Sequence, residues 1–240
     1  MFFAFCFLFL VFFVFLFFVL KTKAKNNKKH AVTNSSYSTI HILITHISPD
    51  KDYICVQSMD GMLSLYEQDS FAFARFIPQF LIPGPICYIP STDTFVTSSS
   101  SNFVEAYRYQ TLAVSTESEN KEQVKTGTGK RLRVDWKTNI GDNVLDIQKF
   151  CHSEDSATTT IFVLGEHNLF ALRENGVIKY MKKYDFNPSC FAPYASLTEG
   201  TVNMLVANFS RTCYVWQDTT LVWSSTLQHV PVFVGVLSKG

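Results

Sequence analysis

The sequence has little to offer an active site. No G-x-S-x-G motif is present and no cysteine stands beside a catalytic-looking histidine, which removes the commonest acyl-transfer signatures. Neither charge sign is in excess: 21 lysines and arginines face 20 aspartates and glutamates, so nothing global argues for nucleic acid. Six cysteines (Cys6, Cys55, Cys87, Cys151, Cys190, Cys213) form no CxxC and no Cys/His spacing suited to zinc. Four of them lie in apolar strand-like runs, where a free cysteine behaves as a small buried hydrophobe. They read as reduced and structural, which favours the cytosol. His41 and His46 flank an apolar run and His167 sits in a turn, places for surface or capping residues rather than ligands. Acidic pairs such as Glu154-Asp155 and Asp50 with Asp52 read as turn residues. No catalytic, cofactor-binding or metal-ligating residue is assigned, and no cofactor is expected. Also missing are the Trp-Asp dipeptide and Gly-His pair of familiar propeller repeats.

What is present is a paragraph written four times: β-rich run, turn, β-rich run, turn, β-rich run. The clearest copy runs from Thr160–Leu164 through Gly165-Glu166-His167-Asn168 into Leu169–Arg173, then across Glu174-Asn175-Gly176 into Val177–Met181. Asn-Gly between β-type runs predicts a hairpin whose two central residues both have φ > 0. The first copy is Tyr53–Ser58, Met62–Glu67 and Phe71–Ile77. The second is Thr94–Ser98, Phe103–Tyr109 and Leu132–Thr138, and the fourth is Val202–Ala207, Thr212–Gln217 and Leu221–Thr226. First strands are separated by 41, 66 and 42 residues, and two of these spacings match the roughly 40–45-residue period of propeller blades. A preceding apolar run supplies each inner strand: Ile40–Thr45, Ile86–Ile89, Val144–Phe150 and Cys190–Ser196. Val230–Leu237 would open a fifth. An all-β sandwich is the competing architecture. Aromatics at strand spacing (Tyr66, Phe71, Phe73, Phe76, Tyr107, Tyr109, Trp216, Trp223) are assigned to the core between blades.

Two segments stand apart. Residues 2–20 are wholly apolar and Phe-rich, long enough to cross a bilayer as a helix, and lysines follow them. Two readings remain open for residues 1–20: a transmembrane anchor that leaves the rest in the cytosol, or translated non-coding sequence ahead of a truncated gene. Either way the hydropathy points to membrane. A Lys/Asn/Ser-rich linker, 21–38, leads to the β domain, 39–240. The second segment, Ser115 to Arg133, is charged and nearly free of large apolar residues, so a mobile insertion is expected over 115–131. Its Gly127-Thr128-Gly129-Lys130 imitates a P-loop, but Val124 replaces the first glycine and Arg131 the magnesium-binding hydroxyl. Nucleotide binding is rejected. Two glycosylation sequons occur, at Asn34 and Asn208.

The run Asp52-Tyr53-Ile54-Cys55-Val56-Gln57-Ser58-Met59-Asp60-Gly61-Met62, then Phe80-Leu81-Ile82-Pro83-Gly84-Pro85, continues through Leu132-Arg133-Val134-Asp135-Trp136 and Phe162-Val163-Leu164-Gly165-Glu166 to Pro188-Ser189-Cys190-Phe191. In that order, over roughly 50 to 230, it resembles the N-terminal propeller of the parathyroid-hormone-responsive B1 family, the Bardet–Biedl syndrome 9 subunits of the BBSome. The resemblance implies a seven-bladed propeller in a non-enzymatic coat complex that carries membrane proteins into and out of cilia, with other BBSome subunits as partners. It implies no nucleic acid, no small-molecule substrate, a location in cytoplasm and cilium, and membrane contact only through the coat unless 2–20 is an anchor. Four blades and the start of a fifth mark the chain as a fragment of such a subunit. The expected fold class is therefore all-β: a partial β-propeller of about four blades, with an N-terminal hydrophobic, transmembrane-like helix. The rival is a membrane-anchored, receptor-like β domain binding an unknown ligand, supported by the leader and the sequons.

Overall fold

Several central strands are buried at every position rather than at alternate ones, and this dictates the architecture. Thr159–Gly165 is buried along its whole length, as are Ile86–Ile89 and Thr94–Ser98. Successive side chains on a strand point to opposite faces, so such a run needs a neighbour on each side of its sheet. The computed structural model describes residues 39–48, 51–58, 61–67, 70–77, 85–114, 132–151, 159–197 and 200–235, with side chains from Tyr53 onward. Within them lie four antiparallel, four-stranded meanders. The first sheet is β1 (Thr39–Ser48), β2 (Lys51–Ser58), β3 (Met62–Glu67) and β4 (Ser70–Phe76). The second is β5 (Ile86–Ile89), β6 (Thr94–Ser98), β7 (Phe103–Arg108) and β8 (Trp136–Asn139). The third is β9 (Val144–Cys151), β10 (Thr159–Gly165), β11 (Asn168–Arg173) and β12 (Ile178–Lys183). The fourth is β13 (Pro188–Ala195), β14 (Val202–Asn208), β15 (Thr212–Gln217) and β16 (Thr220–Thr226).

The first strands of successive sheets adjoin, β1 by β5, β5 by β9 and β9 by β13, as the inner strands of consecutive propeller blades do. The arrangement is an open, unclosed partial propeller. Three apolar seams fill the spaces between sheets, and strand alternation sorts residues among them. Ile86, Tyr88, Phe95 and Tyr107 face the first sheet, against Tyr53, Cys55, Leu63, Leu65 and Phe73. Their neighbours Cys87, Ile89, Val96 and Ala106 face the third sheet, against Ile161, Val163, Phe170 and Leu172. From the third sheet, Phe162, Leu164, Leu169 and Ala171 turn the other way, onto Phe191, Val202, Met204 and Val206.

One turn design recurs at the hairpins. In Ser58–Gly61, Ser99–Asn102, Arg173–Gly176 and Asn208–Arg211 the fourth N–H donates to the first carbonyl, at 2.9 to 3.2 Å. The fourth residue is left-handed each time, with φ of 82°, 61°, 80° and 65°. Asn175 is not among the positive-φ residues, which corrects the expected Asn-Gly turn. The hairpin is a four-residue turn closed by Gly176, and β11 and β12 shift register between Ala171 and Leu172 to absorb the extra residue. Gly176 has a second duty. A Cβ there would run into the Trp136 indole, and its carbonyl accepts the Thr138 hydroxyl at 2.6 Å, so this turn is clasped against β8 of the neighbouring blade.

Four expectations need correction. No helix among the described residues is long and apolar enough to cross a membrane, so the transmembrane-like helix is struck from the fold class. Residues 2–20, the linker 21–38 and the insertion 115–131 lie outside the described residues. The last strand of the second blade begins at Trp136, because Leu132 and Val134 pack onto the first seam without forming a ladder. β7 ends at Arg108, one residue short of the expected Tyr109, where a six-residue helix, α1 (Tyr109–Val114), begins; it buries Leu112 in that seam and its Leu112 carbonyl accepts Arg75 Nε at 2.7 Å. The described part of the expected fifth opening strand, 230–235, is not extended into a ladder. Its Pro231 carbonyl instead accepts the Ser189 hydroxyl at 2.8 Å, which lays it beside β13.

Gly176→Val combines a left-handed backbone with a clash into Trp136, and should cost about 2–4 kcal/mol in urea unfolding. Arg211 holds the same left-handed position without glycine's or asparagine's tolerance. Arg211→Asn should raise stability by about 0.5–1 kcal/mol in the same assay.

Candidate functional site

The groups that carry chemistry in other proteins are committed to structure here. Cys55, Cys87, Cys190 and Cys213 are buried and free, and Cys151 is free and exposed. Burial pushes the Cys55 thiol up to about 12 and Cys87 to about 11, which leaves no thiolate for attack at neutral pH. Asn208, the acceptor of the second sequon, is 3% exposed, and its Oδ1 receives the Thr212 N–H at 2.8 Å. A glycan has no room there. Side chains of His41, His46, Asp50 and Asp52 and the pair Glu154-Asp155 lie outside the described side chains, as does the Pro83-Gly84 connector. His167 is exposed in its turn, as expected.

Sequence reasoning missed Asp142, in the connection from β8 to β9. Its carboxylate accepts N–H bonds from Asn143 (2.9 Å), His167 (3.0 Å) and Asn168 (3.1 Å), and from Asn168 Nδ2 (3.0 Å). It thereby ties the interblade connection to the β10–β11 turn. Gly165 leaves it space: a Cβ there would sit 2.5 Å from Asp142 Oδ2. Burial pushes the Asp142 carboxyl up, but the donors outweigh it and hold it below the usual range. Asp142, Glu166 and His167 lie close enough to share a cation. With the buried carboxylate filled by N–H donors, however, this is a structural clasp. The sequence signal was a short Gly141-Asp142-Asn143 turn ahead of a strand, whose partners stand 25 and 26 residues away.

Two surface features are left to meet other molecules. The first is a cleft of about 750 Å³ between the second and third blades, bordered by Arg108, Asp135, Trp136, Arg173, Glu174 and Lys179. The second is exposed apolar surface on the flanking sheets. Phe71 and Phe76 on β4 are 59% and 56% exposed, and Leu221, Val222 and Trp223 on β16 are similarly open. Phe73, Tyr107, Tyr109 and Trp216 do sit at seams. Tyr66, Phe71, Phe76 and Trp223 do not, correcting their assignment to interblade core. A bulge between Leu65 and Tyr66 pairs Tyr66 with Phe71, and their rings meet edge-on at 5.6 Å on the outer side.

A family model described as PTHB1 N-terminal matches residues 20–239. Protein PTHB1 of Mus musculus is 51% identical over 189 residues, covering 78% of this chain and 21% of that protein. Protein PTHB1 of Homo sapiens is 50% identical over the same length and shares. The pthb1 homolog of Caenorhabditis elegans is 26% identical over 212 residues, 87% of this chain and 26% of its own. The chain thus spans about a fifth to a quarter of the length of these relatives. Among solved structures, BBS1N in a crystal complex with ARL6DN aligns with a TM-score of 0.60 at 16% identity, covering 82% of this chain and 57% of that one. That likeness shows a shared fold.

The depressed Asp142 carboxyl gives a pH prediction. Its folded value lies below the unfolded one, about 3.9, so its stabilisation is complete above that pH and fades as pH falls through the folded value. Asp142→Asn should lose about 1–3 kcal/mol at pH 7. The gap between variant and parent should then close on acidification, read by urea titrations between pH 7 and pH 3.

Proposed function

The chain belongs to the PTHB1 N-terminal family, and we propose that it serves as part of a non-enzymatic scaffold subunit of the BBSome coat. In that role it acts in ciliary membrane-protein trafficking and cilium assembly through protein–protein contacts. The observation that carries this reading is 51% identity to Protein PTHB1 over 189 residues on a fold of stacked β sheets. Its partners on this reading are other BBSome subunits, and its location is cytoplasm and cilium. The chemistry of the domain agrees: buried thiols are held protonated, the best carboxylate cluster is filled by backbone donors, and the open surface is apolar or charged side chain. The receptor-like alternative loses support at Asn208, where the side chain that would carry a glycan is buried in a turn.

Immunoprecipitation of the tagged chain from ciliated cells, with mass spectrometry of what accompanies it, tests the assignment. Other BBSome subunits should be recovered. Their absence, under conditions in which tagged human Protein PTHB1 does recover them, would overturn it.

A further inference from the structure

The cleft between the second and third blades is a charged opening on an apolar wall, and its ions are unequally matched. Two carboxylates border it, and both are spoken for. Asp135 accepts Arg108 Nε at 2.8 Å. Glu174 bridges the two blades: one oxygen receives the Ser91 hydroxyl at 2.7 Å and the Thr159 N–H at 2.8 Å. Burial pushes the Glu174 carboxyl up, but these bonds prevail and hold it below its ordinary range, so it remains an ion already supplied with donors. The remaining cations are Arg173 and Lys179. Lys179 Nζ meets only the neutral hydroxyl of Thr160, at 2.7 Å, and neither residue has a carboxylate partner among the described residues. Beside them stands Trp136, wedged over Gly176, whose indole gives the cleft an apolar wall fixed in place by the clasped turn.

We propose that this cleft docks an acidic, extended peptide segment of a protein partner. Its carboxylates would lie against Arg173 and Lys179, and an apolar side chain would lie against Trp136. The assignment follows from charge complementarity: two cations with no carboxylate partner among the described residues, at the mouth of a cleft about 750 Å³ in volume, within the size range of built binding pockets. Arginine suits the task because its planar fork can hold a carboxylate through two bonds. The coat assignment is not needed for this inference, since the cleft and its charges exist in the domain itself; loss of co-purification would leave it standing.

A fluorescein-labelled hexapeptide of sequence EELFEE, titrated against the full chain by fluorescence anisotropy, is the test. Binding should weaken severalfold between 50 and 300 mM salt, and the uncharged analogue QQLFQQ should bind at least about tenfold more weakly. Arg173→Glu and Lys179→Glu should each reduce affinity about tenfold, whereas Lys183→Glu, the same charge change at the far end of β12, should leave it unaltered. Arg173→Gln and Lys179→Gln, with melting curves matched to the parent, separate lost binding from lost fold and should show an intermediate loss. The proposal is overturned if the parent does not bind EELFEE, if the cleft variants bind undiminished, or if Lys183→Glu weakens binding as much as they do.

Discussion

The whole domain depends on a constraint in its central strands: they are apolar on both faces. Ile161 and Val163 cannot be buried by the same neighbour that buries Phe162 and Leu164, because they point to opposite sides of β10. A single sheet packed on one partner would leave one of these pairs in water, at a cost of about 1.5–3 kcal/mol for each large side chain. Stacking sheets side by side around adjoining first strands satisfies both. It also explains why the strands read as continuous hydrophobic runs instead of alternating ones.

Stacking twisted sheets on apolar seams fixes spacing but not angle, and the angle is set by polar clasps at the rims. On one side Thr138 and Trp136 hold the Gly176 turn, while Glu174 reaches Ser91 and Thr159. On the other, Asp142 collects the N–H groups of His167 and Asn168. Both clasps use a turn of the third blade and residues within, or just after, the second blade's edge strand β8. The cleft with the unmatched cations lies beside the first clasp. Its geometry is thus inherited from a structural joint, which is the kind of rigid frame a docking site needs to avoid paying for its own ordering.

Sequence pattern revealed strands and failed on what lies between them. Inner strands such as Ile86–Ile89 and hairpins such as Thr212–Gln217 with its successor were readable because short apolar runs and turn residues are local signals. α1 was not, since six residues beginning with Tyr109 carry too little helical periodicity to compete with the strand before them. Asp142 was invisible because its partners are remote in sequence. Periodicity also states which residues share a face without stating which faces acquire neighbours. Phe73 and Trp216 found seams, while Phe71 and Trp223, equally aromatic and equally strand-like, remain open.

That last distinction bears on function. The outward face of the fourth sheet carries Leu205 opposite Val215, and Val215 opposite Trp223, the same cross-strand pattern of apolar pairs that elsewhere sits within a seam. Among the described residues, the Pro231 carbonyl reaches its first strand, accepting the Ser189 hydroxyl and the Cys190 thiol. Surface of this kind resembles the interior of the domain more than its exterior, and its favourable use is burial against another β sheet or a partner of matching shape. The charged cleft makes the opposite demand: its cations stay hydrated until a specific anion replaces the water. The two surfaces occupy separate parts of the molecule, so that altering Arg173 or Lys179 leaves the apolar face untouched.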